Sequence, residues 1–279
     1  MLVIDCHVHS RGEKESANEI LKQMDKYGID KIILFSPYPG TIVDSYSQAA
    51  VYSAKKQEEV AEYIAKIQKE DPDRIIGFLW LEPRVNNAIS VLEKAICDLE
   101  LKGVKMIPYH WYPYEERMFP IYEKIEELGV PILFHSGILF GFEDSSRYCR
   151  PTNYEVLIRF PKLKFALAHI SWPWVDECIA LWGRFRAASR RGKRELQMYI
   201  DATPGTPPIY REDALRKVFA YGAGNRVLFG SDSNTKDLSH AAEVMRRDLL
   251  ILRDKLGMPP DIIERYFGRN ALEFLGIRS

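Results

Sequence analysis

Short runs of β-branched and aromatic residues alternate along this chain with longer segments whose apolar residues recur every three or four positions. The apolar runs fall at 2–9, 31–36, 75–81, 104–108, 131–135, 163–169, 196–201 and 226–231. Runs of this length and composition read as strands. Helical spacing occupies 17–27, 47–69, 87–101, 120–128, 175–188 and 211–221. Two more helical segments, 241–256 and 262–275, follow the last strand and are separated by the break Met258-Pro259-Pro260. Strand–helix alternation predicts a parallel sheet with helices outside it. Eight repeats favour an α/β fold closed into a (β/α)8 TIM barrel over an open sheet. No Gly/Ser linker or low-complexity stretch divides the chain, so 1–279 is expected to form one domain.

Barrel enzymes assemble their sites from residues at the C-terminal tips of several strands. The first run ends in Asp5-Cys6-His7-Val8-His9. Alternation along a strand places His7 and His9 side by side, with Asp5 behind them and Cys6 turned away into packing. Two imidazoles on one rigid strand supply half of a divalent-metal site. His135 ends the fifth run, His169 the sixth and Asp232 the eighth. The chain has only six histidines, and four of them stand at strand tips on one predicted face. Asp5 is read as a buried residue bonding backbone. Lys105, on the fourth strand, is read as an interior residue paired with a carboxylate, because a bare buried ammonium is costly. The aromatic loop Tyr109-His110-Trp111-Tyr112 is expected over the barrel mouth. His110, Trp111 and Trp172 are candidate substrate contacts, with a packed lid as the alternative. Arg147 and Arg150 are candidates to bind a substrate carboxylate, with a plain surface role as the alternative.

Composition narrows the partners. Lys plus Arg and Asp plus Glu each number 39, so the formal net charge is zero. That gives no support for nucleic acid or an anionic membrane as the main partner. The basic run from Arg184 to Arg194 reads as a solvated helix end. Four cysteines without metal-type spacing suit a reducing compartment. The first strand begins without an apolar leader, and no stretch has transmembrane length, so a cytoplasmic location is expected.

Taken together, the motifs resemble the amidohydrolase superfamily, in the amidohydrolase-related branch that includes the aminocarboxymuconate-semialdehyde decarboxylase-like proteins. The similarity runs from Asp5-Cys6-His7-Val8-His9 through Gly103-Val104-Lys105, Gly129 to Gly137, Ala168-His169 and Arg226 to Asp232, and ends at Arg269 to Gly276. The resemblance implies one metal ion held by His7, His9, His135 and Asp232. His169 would contact the metal-bound water or the substrate, and Asp232 and His169 would be the catalytic pair. Two-metal members carry a carbamylated strand-four lysine; Lys105 lies on that strand, and one ion is expected here. Three imidazoles and a carboxylate suit zinc first, with manganese, iron or cobalt as alternatives. The leading expectation is a metal-dependent hydrolase that attacks a small amide, lactone or ester through a metal-activated water. The alternative is non-oxidative decarboxylation of a small unsaturated or aromatic carboxylic acid on the same metal. A barrel without chemistry, serving as a ligand-binding or scaffold protein, is disfavoured because every ligand type is in place. The resemblance also implies a homodimer.

Overall fold

Among the described residues eleven strands form in chain order: β1 (Ile4–His9), β2 (Lys31–Phe35), β3 (Gly40–Asp44), β4 (Ala49–Tyr52), β5 (Ile75–Trp80), β6 (Gly103–Met106), β7 (Ile132–Phe134), β8 (Phe165–Leu167), β9 (Met198–Asp201), β10 (Val227–Leu228) and β11 (Ser233–Asn234). The structure is a computed structural model and describes residues 1–12, 14–44, 49–142 and 144–277. Nine strands pair in parallel in the order β10-β9-β8-β7-β6-β5-β2-β1-β11. The two ends of that order lie close in sequence: β10 falls within the eighth run, 226–231, and β11 follows just beyond it. β10 pairs with β9 and β11 pairs with β1. Between them the Cys6 amide donates to the Phe229 carbonyl (2.9 Å) and the Asp232 amide to the His7 carbonyl (3.0 Å). The sheet therefore closes on itself as a (β/α)8 barrel, as the alternation predicts.

Two apolar layers follow from strand alternation. Ile32, Leu34, Val104, Met106, Ile132 and Phe134 face outward against the helices. Ile33, Phe35, Ile76, Phe78, Leu133 and Tyr199 fill the interior. Phe274, from the last helix (Asn270–Leu275), joins that interior cluster beside Leu2, near the start of β1. One end of the cylinder is thus packed, and the C-terminal strand tips are left to carry chemistry.

Strand β1 departs from simple alternation. Asp5 pairs with Ile32 and Val8 with Leu34, so Cys6 and His7 together stand opposite Ile33 alone. This bulge corrects the expected orientations. Cys6 packs inside the barrel with Ile4 and Ile33, and Asp5 shares the outward register of Ile32. An extra residue in one strand re-aims the side chains beyond it, and here it turns His7 inward to join His9. Asp5 is buried and bonds backbone as expected, its carboxylate accepting from the amides of His7 (3.1 Å) and Ser231 (2.9 Å).

The helix expected over 47–69 also starts later. Residues 47 and 48 lie outside the described ones, and β4 pairs antiparallel with β3 as a hairpin. The helix is Ala54–Glu70, with the Ser53 hydroxyl accepting from the Lys56 amide (3.1 Å) as its N-cap. Among the described residues no helix is long and apolar enough to cross a membrane.

Candidate active site

The tips of β1, β6, β7, β8 and β9, with the turn before β11, converge on one cavity of about 310 Å3. Its floor holds the imidazoles of His7 and His9 and the carboxylate of Asp232. Asp232 Oδ1 lies 3.4 Å from His7 Nε2 and 3.2 Å from His9 Nε2. One ligand atom from each of the three residues falls within 4.8 Å of the others. Donors about 2.0–2.1 Å from one ion in tetrahedral array are themselves roughly 3.3 Å apart, so these separations suit a shared divalent cation.

Asp201, at the tip of β9, decides which nitrogen of His7 is available. Its Oδ2 lies 2.6 Å from His7 Nδ1, and both groups are buried. A proton on Nδ1 donated to Asp201 leaves the Nε2 lone pair facing the cavity. Asp201 is held in turn by the Thr203 amide (2.8 Å) and by the Thr203 hydroxyl. His135 is arranged differently. Its Nε2 donates to the Ile138 carbonyl (3.1 Å), which leaves its Nδ1 as the free donor atom. The His135 ring stands 4.8 Å from that of His169, and His169 stands 5.3 Å from His7.

Electrostatics support metal-ready protonation states. Burial, reinforced by the Lys105 ammonium, holds His7 well below the usual imidazole range. Burial, with His169 next to it, does the same to His135, and burial lowers His169. All three imidazoles are therefore neutral. Burial alone would raise Asp232, but the His9 hydrogen bond and the adjacent imidazoles outweigh it and hold this carboxylate well below its usual range. Its side chain remains 38% exposed, facing the cavity.

Two of the tip residues sit in left-handed backbone, His169 at φ 63° and Asp232 at φ 63°. Each such residue costs on the order of 1–3 kcal/mol and persists only where neighbours enforce it. For Asp232 the enforcement is its amide bond to the His7 carbonyl. For His169 it includes close packing on Gly205, where an added Cβ would lie 2.7 Å from the His169 Cβ.

The loop candidates go elsewhere. Trp111 is fully buried in the outer apolar layer, away from the cavity. His110 is exposed and rests against the rings of Tyr109 and Tyr148. Arg147 pairs with Asp144 (2.9 Å) and Arg150 with Glu177 (2.9 Å), both outside the cavity. The Trp172 ring stacks toward Tyr210, 6.4 Å away. The cavity wall is built instead from Trp80, Ile107, Ile138, Leu139, Phe140 and Phe142, with Lys105 below them. Lys105 also departs from expectation: its nearest partners are His7 Nε2 (3.4 Å) and the Phe35 ring (4.7 Å), not a carboxylate. Sequence reasoning passed over Asp201, although the tip rule applied to the run 196–201 ends on it. Trp80 was legible in the same way, as the inward residue near the tip of the run 75–81.

Comparison with known proteins agrees with this geometry. The amidohydrolase family model matches residues 4–277. No curated protein sequence matches the chain. Among solved structures, the chain is similar to a dihydroxybenzoic acid decarboxylase from a Polaromonas species, solved with manganese and 2-nitroresorcinol. That match has a TM-score of 0.71 and 15% identity, and covers 99% of this chain and 97% of the other. It is similar to an uncharacterised TIM-barrel protein from Bordetella bronchiseptica, with TM-score 0.68, 19% identity and 99% of each chain covered. A 4-oxalomesaconate hydratase from Rhodopseudomonas palustris gives TM-score 0.66 and 19% identity, covering 99% of this chain and 96% of the other. A closed barrel, an imidazole–carboxylate group at its mouth and a family match across nearly its full length make this chain a member of the amidohydrolase family of metal-dependent enzymes.

Proposed function

We propose that this protein is a metal-dependent, non-oxidative decarboxylase of a small aromatic or unsaturated carboxylic acid. This reverses the order expected from sequence, where hydrolysis led. The observation that carries the reversal is the cavity wall, in which Trp80, Phe140 and Phe142 offer aromatic surface to a flat, conjugated substrate in the same cavity as the His7–His9–Asp232 group, with the Trp80 ring 6.2 Å from that of His9. The similar Polaromonas structure is a decarboxylase of such an acid, with manganese bound. In this reading His7, His9, His135 and Asp232 hold one divalent ion. Manganese takes precedence over zinc because it is the ion in that relative.

A divalent ion, when bound, supplies Lewis acidity that withdraws electron density from the substrate's oxygens. The protein's own groups do the rest. Trp80, Ile107 and Phe142 keep water from the reacting face. The bond between the ring or vinyl carbon and its carboxylate breaks, carbon dioxide leaves, and the electron pair stays on carbon, where a proton replaces the lost group. His169 can hold that proton: among the described residues its buried Nδ1 has no hydrogen-bond partner.

The test is product analysis. Manganese-loaded protein is incubated with a panel of hydroxybenzoates and small unsaturated acids, and separately with lactones and esters, in 18O-water. Carbon dioxide release matched by decarboxylated product is expected. Appearance of 18O in a newly formed carboxylate, with no carbon dioxide, would establish hydrolysis and sink the proposal.

A further inference from the structure

The cavity contains one ammonium with no direct ion-pair partner among the described residues, the carboxylates of Asp201 and Asp232 acting on it only at longer range. Lys105 is fully buried on β6, makes no ion pair among the described residues, and lines the cavity. The nearby carboxylates are already engaged, Asp201 by His7 and Thr203 and Asp232 by His7 and His9. A divalent ion on the site would balance those two negative charges and leave the Lys105 charge in excess. A buried charge without a partner is costly, so the counter-charge has to come from whatever enters.

Among the described residues that line the cavity, Lys105 is the one lysine or arginine. Arg84, Arg147 and Arg150 are tied to Glu82, Asp144 and Glu177. Position defines the ligand further. Lys105 pairs in register with Trp80 on β5, so the two side chains are neighbours on the inner face, with strands about 4.8 Å apart. Beneath Lys105, Gly103 leaves the space that the Phe78 ring fills, so the lysine stem has no room to retreat downward. The cavity is at the small end of ligand pockets, about 310 Å3.

We propose that Lys105 anchors the carboxylate of a small, planar acid bearing a single carboxylate, whose flat face lies along Trp80. This rests on the decarboxylase reading for the identity of the acid but not for the anchoring itself. An ammonium on the departing carboxylate stabilises the bound acid more than the transition state, because the negative charge moves from the carboxylate to carbon as carbon dioxide forms. It therefore acts on binding more than on turnover.

The experiment uses manganese-loaded protein and two probes: salicylate, and 2-nitrophenol, which has similar shape but no carboxylate. Titration calorimetry is run on the wild type, Lys105→Met and Lys105→Gln, with manganese content measured on each. Removing an unpaired buried charge should leave the melting temperature at or above that of the wild type. Salicylate is expected to bind at least tenfold more weakly to both variants, with 2-nitrophenol changed less than threefold and manganese content unchanged. Equal weakening of both probes would make Lys105 a mere filler of the cavity and overturn the proposal. So would unchanged salicylate binding, or failure of the wild type to bind salicylate at all. Lysine-dependent salicylate binding with no carbon dioxide released from any acid would uphold the anchor and remove only the decarboxylase reading.

Discussion

His7 can serve a cation only in one tautomer, and a single buried carboxylate selects it. The Asp201 contact of 2.6 Å fixes the proton on Nδ1 and aims Nε2 at the cavity. Asn at this position still accepts a hydrogen bond but lacks the charge that raises the basicity of the ring. Asp201→Asn is therefore expected to weaken manganese binding by roughly 10–100-fold, read by competition with a metal-sensitive dye. A change under threefold would deny Asp201 its positioning role. At this scale the strand-tip pattern placed His7, His9, His135, His169 and Asp232 on one cavity but passed over Asp201 at the tip of β9. The sequence was illegible where a loop residue's direction depends on distant packing. Trp111 looks like a mouth residue from its position after strand four, yet its large apolar body is better accommodated in the outer layer, where it is fully buried. Arg147 and Arg150 look free until Asp144 and Glu177 approach them through the fold.

Elements show the same division between periodic signal and local exception. Alternation correctly separates the inner from the outer layer on most strands, but it cannot register the bulge at Cys6-His7, because an inserted residue leaves composition unchanged and shifts only the pairing. The hairpin of β3 and β4 was masked because its second strand is short and runs straight into a true helical pattern, with Ser53 as the only local stop. Helix–helix docking was not legible at all. Arg211, on the helix Pro208–Ala220, makes a two-pronged bond to Asp248 on the helix Ser239–Leu250, at 3.1 and 2.5 Å, and Tyr266 donates to the same carboxylate at 2.7 Å. Both charges are wholly buried. Arg211→Met strands the Asp248 carboxylate and should destabilise the fold by about 3–5 kcal/mol in denaturant titration. The double variant Arg211→Met/Asp248→Leu removes both charges and should recover most of that loss. A single variant as stable as the wild type would show that the pair does not hold these helices together.

The whole molecule couples the site to stability without depending on it for closure. The barrel is shut by backbone bonds, Cys6 to Phe229 and Asp232 to His7, which need no ion. The donor group, in contrast, exists only in the folded chain, because His7, His9 and Asp232 are brought together by that same closure across more than two hundred residues. An ion that binds this group and not the unfolded chain stabilises by mass action, by about 2.7 kcal/mol at one hundred times its dissociation constant. For a chain of this size each kcal/mol raises the midpoint by roughly 2 °C, so saturating manganese should raise the melting temperature of chelator-treated protein by roughly 5 °C. Zinc at equal concentration should raise it further, because nitrogen and oxygen donors bind zinc more tightly than manganese. His9→Ala should abolish the response to both ions while keeping the far-ultraviolet circular dichroism of the barrel. A chelator that erased that secondary-structure signal would mean the ion holds the cylinder shut. An unchanged midpoint in the wild type under either ion would mean that the three converging side chains do not act as ligands.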